Sequence, residues 1–595
     1  MDEAQIDEKG RGILFSGLAK VLQCSSVSGQ SNVYHLEARI ALERETQVTP
    51  RAGQFYMVKC ARSSVYFGRP ISVYRAKRPE AKTLIIEFLI LEKGQGTKEI
   101  CSLRSGDDLH LFGPLGNSFT NPDSDKIICI AGGGIGIAPV ANFATTLPNS
   151  TYDFYASFKS GFYGIEDVKP RNLVITTDDG SAGIKGMLSA ALTADVIKEK
   201  NYSAVYACGP TPMLSYVKEE AAKAGVPCFL SIEKKMLCGA GACLGCTIRT
   251  KIGNKRVCKD GPIFPAEILE FNNPRPSRRA PLPSDVEPDL SVEISGVKFK
   301  NPVIAASGTF GFGQDYRGFF DVSLLGGVCS KGLTLEPRAG NGGERIAEVP
   351  MGDINSIGLE NMGVSRFIST ELPRMLQLGC VSIANLAGHD IQSYTEGARL
   401  LDATEVAAIE LNISCPNVKQ GGMAFGISPE AASECVKAVR AATKKPLIVK
   451  LSPNAADIAS VAIACIKSGA DAISLINTIQ SIVIDIEDCA PVFDNIKAGL
   501  CGPAVRPIAL RMVWDVVKAV ESLPPAERVP IIALGGIEKW QDAVQFIMAG
   551  ASAVQVGSAT FANPMAMVEI IDGLRDFMAS HGYQKIEDFR GIAQK

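Results

Sequence analysis

At 595 residues the chain is longer than one hydrophobic core organises, and at about 150 residues per domain it reads as roughly three or four domains. Sixty-one basic against sixty-three acidic side chains leave a net charge of −2, which offers no field for a polyanion and excludes nucleic acid as a partner. Seventeen cysteines follow an acidic, polar start, MDEAQIDEKGRG, that lacks the basic and apolar regions of a secretory signal. Reduced thiols, metal ligation and catalysis in the cytoplasm explain them better than a disulfide framework does.

Residues 1–110 hold short alternating strands (SNVYHLEARIAL, GQFYMVKCA, TLIIEFLILE) broken by Gly, Pro and Ser, the pattern of a small β-barrel. Residues 111–228 alternate strand-like runs (KIICIAGG, STYDFYASF, NLVITTDD, SAVYACG) with helical stretches such as TPMLSYVKEEAAKAG, which predicts a parallel, Rossmann-like α/β sheet. The longest apolar run, IICIAGGGIGIAPVANFA from Ile127, approaches membrane-span length, but its glycines and proline make it a buried strand, a turn and a helix start. No membrane partner is expected. A cysteine-bearing segment occupies 229–272, and the Pro-rich, polar stretch 273–289 reads as an extended linker.

From residue 290 eight apolar runs follow: PVIAASG, LLGGVCSKG, CVSIANLAG, AAIELNIS, PLIVKLSP, DAISLIN, VPIIALGG and SAVQVGS. Eight buried parallel strands with helices between most of them are the arithmetic of a (β/α)8 TIM barrel over 290–595, and each run ends in polar or small residues, where such barrels build their active sites.

The stretch CGAGACLGCTIRTKIGNKRVC spaces Cys238, Cys243, Cys246 and Cys258 as C-x4-C-x2-C and a fourth cysteine, the plant-type arrangement for a 2Fe-2S cluster. A structural zinc site is the alternative, although zinc ribbons favour paired CxxC knuckles. A cluster moves single electrons, so it needs a donor and an acceptor. Upstream, RPIS (Arg69, Pro70, Ile71, Ser72) and GQGT (with Gly96 and Thr97) resemble the flavin-binding barrel of the ferredoxin reductase superfamily, in which the arginine meets the flavin phosphates. AGGGIGIAP (Gly132, Gly133, Gly134, Gly136) follows a strand and opens a helix, where glycines let backbone approach a phosphate. CGPTPML (Cys208, Gly209, Pro210) is a second loop after a strand. Each loop alone could be a tight βα turn; in this order they predict FAD and NAD+ sites.

In the barrel, NISCPN places Asn412 and Cys415 at the fourth strand end, beside Lys331, Asn385, Lys450 and the pair Asn477-Thr478 at others. Gly535-Gly536 and Gly557-Ser558 follow the last two strands, where such barrels commonly bind phosphate. FMN next to a small polar substrate fits this set.

The motifs NPVIAASGTFG, LEPRAGN, NSIGLENMG, ELNISCPN, IVKLSPN, LINT, GPAVRPIALRMV and ALGGI resemble the catalytic subunit of the class 1B, NAD-dependent dihydroorotate dehydrogenases, and residues 12–272 resemble the electron-transfer subunit of the same enzymes. That family usually makes two polypeptides; here they are fused. The resemblance implies oxidation of (S)-dihydroorotate to orotate in pyrimidine synthesis, electrons passing from FMN through 2Fe-2S and FAD to NAD+, and a homodimer through the barrels. It implies substrate contacts at Lys331, Asn355, Ser356, Ile357, Gly358, Leu359, Asn412, Asn477 and Thr478. For FMN it implies Ser307, Lys331, Gly332, Asn385, Asn412, Lys450, Ile476, Gly502, Gly535, Gly536, Gly557 and Ser558. Ser356 stands where many members have alanine. Making a C=C bond removes a proton and a hydride from adjacent carbons, so a base must face a flavin; Cys415, a thiol with an ordinary pKa of about 8.5, is the expected base. Two rivals share these features: an NAD(P)H-dependent reductase of another pyrimidine or enone, and a catalytically silent redox sensor.

Overall fold

The computed structural model describes residues 15–42, 49–65, 67–120, 126–271, 287–414 and 423–595. The chain divides into two compact units, Met1–Pro276 and Ser277–Lys595. Among the described residues no helix is long and apolar enough to cross a membrane.

The first unit contains two seven-stranded sheets. One is antiparallel, in the spatial order Arg69–Ser72, Phe55–Cys60, Asp108–Leu115, Phe15–Ser26, Val33–Ala41, Thr83–Leu91, Arg75–Glu80. Its two outermost strands are consecutive in the chain, joined only by Val73 and Tyr74. The Val73 N–H donates to the Gln54 carbonyl and that of Tyr74 to Glu87, both at 2.9 Å, so the two edges are drawn together and the sheet rolls around Tyr56, Val58, Ile86, Phe88 and Leu111. Its strand Asp108–Leu115 runs past residue 110.

The second sheet runs Ile184–Lys185, Asn172–Thr177, Tyr152–Phe158, Ile128–Gly133, Val205–Cys208, Cys228–Ser231, Ile263–Pro265, parallel except for the last. Chain order reverses at Ile128–Gly133, which lies between the first and the fourth parallel strands to follow it into the sheet; such a switch point opens a crevice at the carboxyl ends of the strands. The helices Ile137–Thr145 and Thr211–Ala224 start directly after the two strands that flank this crevice, and Gly225, at φ 71°, ends the second of them in the left-handed conformation that glycine adopts without a Cβ clash.

The second unit is a closed barrel of eight parallel strands: β1 (Val303–Ala305), β2 (Gly327–Cys329), β3 (Val381–Leu386), β4 (Ala408–Asn412), β5 (Leu447–Lys450), β6 (Ala472–Leu475), β7 (Ile531–Leu534) and β8 (Ala553–Val556). All eight predicted runs form its staves. They are almost wholly buried because helices cover the outside, which is why they read as unbroken apolar runs. Side-chain caps start several of those helices: Asp390 accepts from Ser393 N, Ser428 from Ala431 N and Asp457 from Ser460 N. Between β1 and β2 only short 3-10 turns occur. A four-stranded antiparallel sheet (Ile346–Val349, Gly352–Asn355, Lys497–Cys501, Ile479–Ile482) grows from the loops after β2 and β6, at the carboxyl end of the barrel, around Ile354, Phe493 and Ala498. Asp289 is already part of this unit, its N–H bonded to the Gln584 carbonyl at 2.8 Å.

Candidate active site

The carboxyl ends of the barrel strands bring the expected side chains together as one hydrogen-bonded row. Asn385 on β3 is wholly buried; its Nδ2 donates to Glu410 Oε1 at 2.7 Å, and its Oδ1 accepts from Asn412 Nδ2 at 3.3 Å. Asn412 Oδ1 accepts in turn from Ser414 Oγ at 2.9 Å and from Asn477 Nδ2 at 3.4 Å, while Asn477 Nδ2 also reaches Ser414 Oγ at 2.7 Å. Asn477 Oδ1 takes the N–H of Thr478 at 2.7 Å. The peptide between Leu475 and Ile476 is cis, and Ile476 N donates to the Leu534 carbonyl. Cys415 lies outside the described residues.

Lys450, at the end of β5, is buried with its ammonium 3.4 Å from Glu410 Oε1. Two ions in a low-dielectric core are tolerable only as a well-bonded pair, and removing one partner of such a pair typically costs about 3–5 kcal/mol. Burial alone would raise the Glu410 carboxyl, but Lys450 and the donors Gln555, Asn385 and Cys329 outweigh it and hold the group below the ordinary carboxylate value. Lys331 follows β2; its charge is felt by Glu360, which Arg345 already holds.

The remaining barrel positions divide by what they touch. Gly536, at φ 72°, lies where a Cβ would stand 2.8 Å from the Gly502 carbonyl oxygen, so these two glycine turns pack backbone on backbone. A Cβ on Gly557 would find its nearest neighbour 3.8 Å away, and one on Gly308, next to Ser307, nothing within 4 Å, so the ends of β1 and β8 face open space. Gly332 is tighter, 3.1 Å from Asn385 Oδ1. Ser558 bonds the thiol of Cys501. Asn355 Nδ2 approaches Asp353 and Cys501, whereas Ser356 turns its hydroxyl to Asn341 and Asn495. Ile357 receives Asn341 N on its carbonyl, Gly358 has a positive φ of 76°, and Leu359 gives its carbonyl to Asn361 Nδ2. The backbone open at the ends of β1 and β8 leaves the room that a bound phosphate-bearing cofactor needs.

In the first unit the two flavin motifs meet. Gly96 lies against the Arg69 guanidinium, and the Thr97 hydroxyl accepts from the N–H groups of Lys93 and Gly94 at 2.9 and 3.1 Å. Pro70, Ile71 and Ser72 pair with Phe55–Cys60. The two nucleotide loops also meet, because Cys208 pairs with Gly132 on adjacent parallel strands. A Cβ on Gly136 would stand 2.6 Å from the Cys208 carbonyl oxygen, an approach that only glycine allows, and one on Gly133 would crowd Pro210 Cδ at 3.2 Å. At the Gly209 loop a cavity of about 250 Å³ is lined by Lys93, Thr211, Lys234, Lys235 and Phe271. A larger cleft of about 630 Å³ around Arg51, Arg75 and Phe119 contains none of the expected residues.

The four cysteines form two pairs. Cys246 and Cys258 lie 3.2 Å apart at sulfur, and the Cys243 N–H donates to Cys238 Sγ at 3.4 Å. Burial would raise the Cys238 thiol, but the N–H groups of Cys243, Ala240 and Ala242 and the Cys243 thiol bring it down to about 6, whereas burial and Cys246 push Cys258 up to about 12. Among the described residues no three His, Cys, Asp or Glu side chains converge on a single metal ion.

Residues 289–578 match the family described as Dihydroorotate dehydrogenase. The chain is 52% identical over 304 residues to the Petrotoga mobilis protein named dihydroorotate dehydrogenase B (NAD(+)), catalytic subunit, covering 51% of this chain and 99% of that one. The chain belongs to the dihydroorotate dehydrogenase family. Proteins of the same name from Geotalea daltonii (48% over 306 residues, 51% and 98% covered) and Bacteroides thetaiotaomicron (48% over 307 residues, 51% and 99%) are similar to the same half. Residues 233–270, which hold all four cysteines, match the iron-sulfur cluster binding domain of dihydroorotate dehydrogenase B. As a dihydroorotate dehydrogenase of the B type, the chain is an oxidoreductase that acts on a CH–CH pair, with an iron-sulfur site and a flavin site.

Several side chains of this dehydrogenase escaped the sequence reading. Glu410 sits inside a run read only as apolar; its signal was a lone acid two residues before Asn412, hence on the same face of the strand. Asn361 ties the loop 355–363 to the end of β2 through Thr334, bonding both its N–H and its hydroxyl. Asp353 receives the Cys501 thiol at 3.2 Å, a pairing between two segments 148 residues apart that no spacing announces.

Proposed function

We propose that the chain oxidises (S)-dihydroorotate to orotate for pyrimidine synthesis and delivers the electrons to NAD+, the electron-transfer half being fused to the catalytic barrel. The observation that carries the reading is the row Asn385, Asn412, Asn477 at the mouth of a barrel that spans nearly the whole of an NAD(+)-named catalytic subunit. When bound, FMN accepts the hydride, a 2Fe-2S cluster carries electrons singly, and FAD returns them pairwise to NAD+.

The chain's own residues prepare that chemistry. Asn355, Asn412, Asn477 and Thr478 hold the pyrimidine amides and carboxylate, with the backbone of Ser356–Leu359 closing the site. Lys331 and Lys450 offset negative charge, and Cys415 Sγ takes the proton from the carbon next to the carbonyl. Ser307, Gly332, Ile476, Gly502, Gly535, Gly536, Gly557 and Ser558 line the FMN. The C-x4-C-x2-C spacing of Cys238, Cys243 and Cys246, with Cys258 beyond it, supports two irons over one zinc. The meeting of Arg69 with Gly96, and of Gly136 with Cys208, supports FAD and NAD+ at those loops. Domain limits near residues 110, 228, 272 and 289 belong to the same proposal.

The test is anaerobic mixing of the flavin-loaded chain with dihydroorotate and then NAD+. Flavin bleaching followed by NADH formation is expected. Bleaching by NADH but not by dihydroorotate would make the chain a reductase of another compound. With Cys415→Ala, bleaching should slow by about 10²–10⁴-fold, the usual share of a general base; a near-normal rate would assign the proton to another group.

A further inference from the structure

Glu410 has no part in the roles above, yet five side chains of the barrel interior bond to it. Its Oε1 takes Cys329 Sγ on β2 at 3.3 Å, Asn385 Nδ2 on β3 at 2.7 Å and Lys450 Nζ on β5 at 3.4 Å. Its Oε2 takes Ser474 Oγ on β6 at 3.0 Å and Gln555 Nε2 on β8 at 2.7 Å. The side chain is wholly buried. Barrel layers are ordinarily filled by branched aliphatic side chains, and replacing buried ions with apolar groups is often neutral or stabilising, so stability alone does not account for a charge here.

The bonds have a common direction. An ionised carboxylate only accepts, so Asn385 must present its amide N–H to Glu410 and turn its carbonyl oxygen outward. Asn412 can then only donate to that oxygen, which leaves the Asn412 carbonyl as the acceptor for Ser414 and for Asn477. Every link in the row donates toward Glu410. Without that anchor each amide could be turned over and offer the opposite hydrogen-bonding edge.

We infer that Glu410 is a positioning residue: its carboxylate sets the donor and acceptor sense of Asn385, Asn412 and Asn477, and holds the Lys450 ammonium where the flavin is bound. This rests on reading the barrel mouth as the dihydroorotate and FMN site. A residue that acts through another shows a coupled effect when both are changed.

The test is a double-mutant cycle on the flavin-loaded chain, in which orotate binding is read, without turnover, from its perturbation of the oxidised flavin spectrum. Glu410→Gln and Asn385→Ala are each expected to weaken orotate binding about tenfold in the fraction that keeps its flavin, and the double variant to be no weaker than Asn385→Ala. Multiplying effects, or an unchanged affinity in Glu410→Gln, would overturn the inference. If Glu410→Gln does not fold, Glu410→Asp, which keeps the charge but draws it back by one methylene, decides the point: weakened orotate binding is expected, and wild-type affinity overturns the inference. If the unaltered chain binds no orotate, the substrate reading fails instead. FMN release from Glu410→Gln then tests Glu410: faster loss than from wild type is expected, and equal retention overturns it.

Discussion

Gly96 and the Arg69 guanidinium share one place: a Cβ on Gly96 would stand 2.7 Å from the Cζ, Nε and Nη2 atoms of Arg69. The arginine is also tied down, its Nη1 donating to the Phe67 carbonyl at 2.7 Å. Gly96→Ala should therefore displace the guanidinium and loosen FAD. The purified variant is expected to lose FAD while keeping FMN and dihydroorotate-dependent bleaching, as read by cofactor analysis. Full FAD content would separate Arg69 from flavin binding.

Gly136→Ala probes the meeting of the two nucleotide loops. Its Cβ would be pressed against the Cys208 carbonyl oxygen and Gly209 Cα, both backbone, so the strand ends must part. Overpacking of this kind costs about 1–3 kcal/mol, which predicts a Kd for NADH raised about tenfold with the dihydroorotate half-reaction unaffected. An unchanged Kd would place the dinucleotide elsewhere.

Replacing Cys258 with serine should break the relay without silencing the barrel. Bleaching of the barrel flavin by dihydroorotate is expected to persist while NADH formation drops to background. Equal loss of both half-reactions, with FMN retained, would contradict a route through the cluster, as would zinc found in place of iron and acid-labile sulfide.

Cys501 tests the electrostatics above the barrel. Burial first, and then the Asp353 carboxylate, push its thiol up to about 12, so it stays protonated through neutral pH and donates to Asp353. Since the thiolate is the nucleophile, the fraction able to react rises only as pH climbs toward that value. Mass spectrometry after iodoacetamide treatment of the folded chain at pH 8 should find Cys501 unmodified, with labelling growing at strongly alkaline pH. Rapid labelling at pH 8 would refute the raised value.

What could be read from residues alone follows from how each part is buried. The eight staves were legible because strands covered on both faces must be apolar throughout, and their polar ends stood out against that background. The same habit of reading runs as apolar hid Glu410 in AAIELNIS and Ser474 in DAISLIN. The four-stranded sheet over the mouth was invisible for the opposite reason. Its strands are short and half-exposed, as with Ile346 and Ile482, and they pair segments more than a hundred residues apart. The two glycine loops of the first unit were visible singly, but that Gly136 needs to be glycine because of Cys208 is a property of strand order.

The strand Ile263–Pro265 closes the nucleotide sheet although it comes from the cysteine segment, and Asn117, just past the first sheet, clasps the carbonyls of Asp260 and Ile263 and receives the Ile263 N–H. Cys258 sits two residues before that clasp. Iron bound at these cysteines would therefore ride rigidly with both flanking sheets and could not swing between docking positions as a carrier on a tether does. A rate of electron passage within this unit that is insensitive to solvent viscosity is the behaviour such a fixed mounting implies.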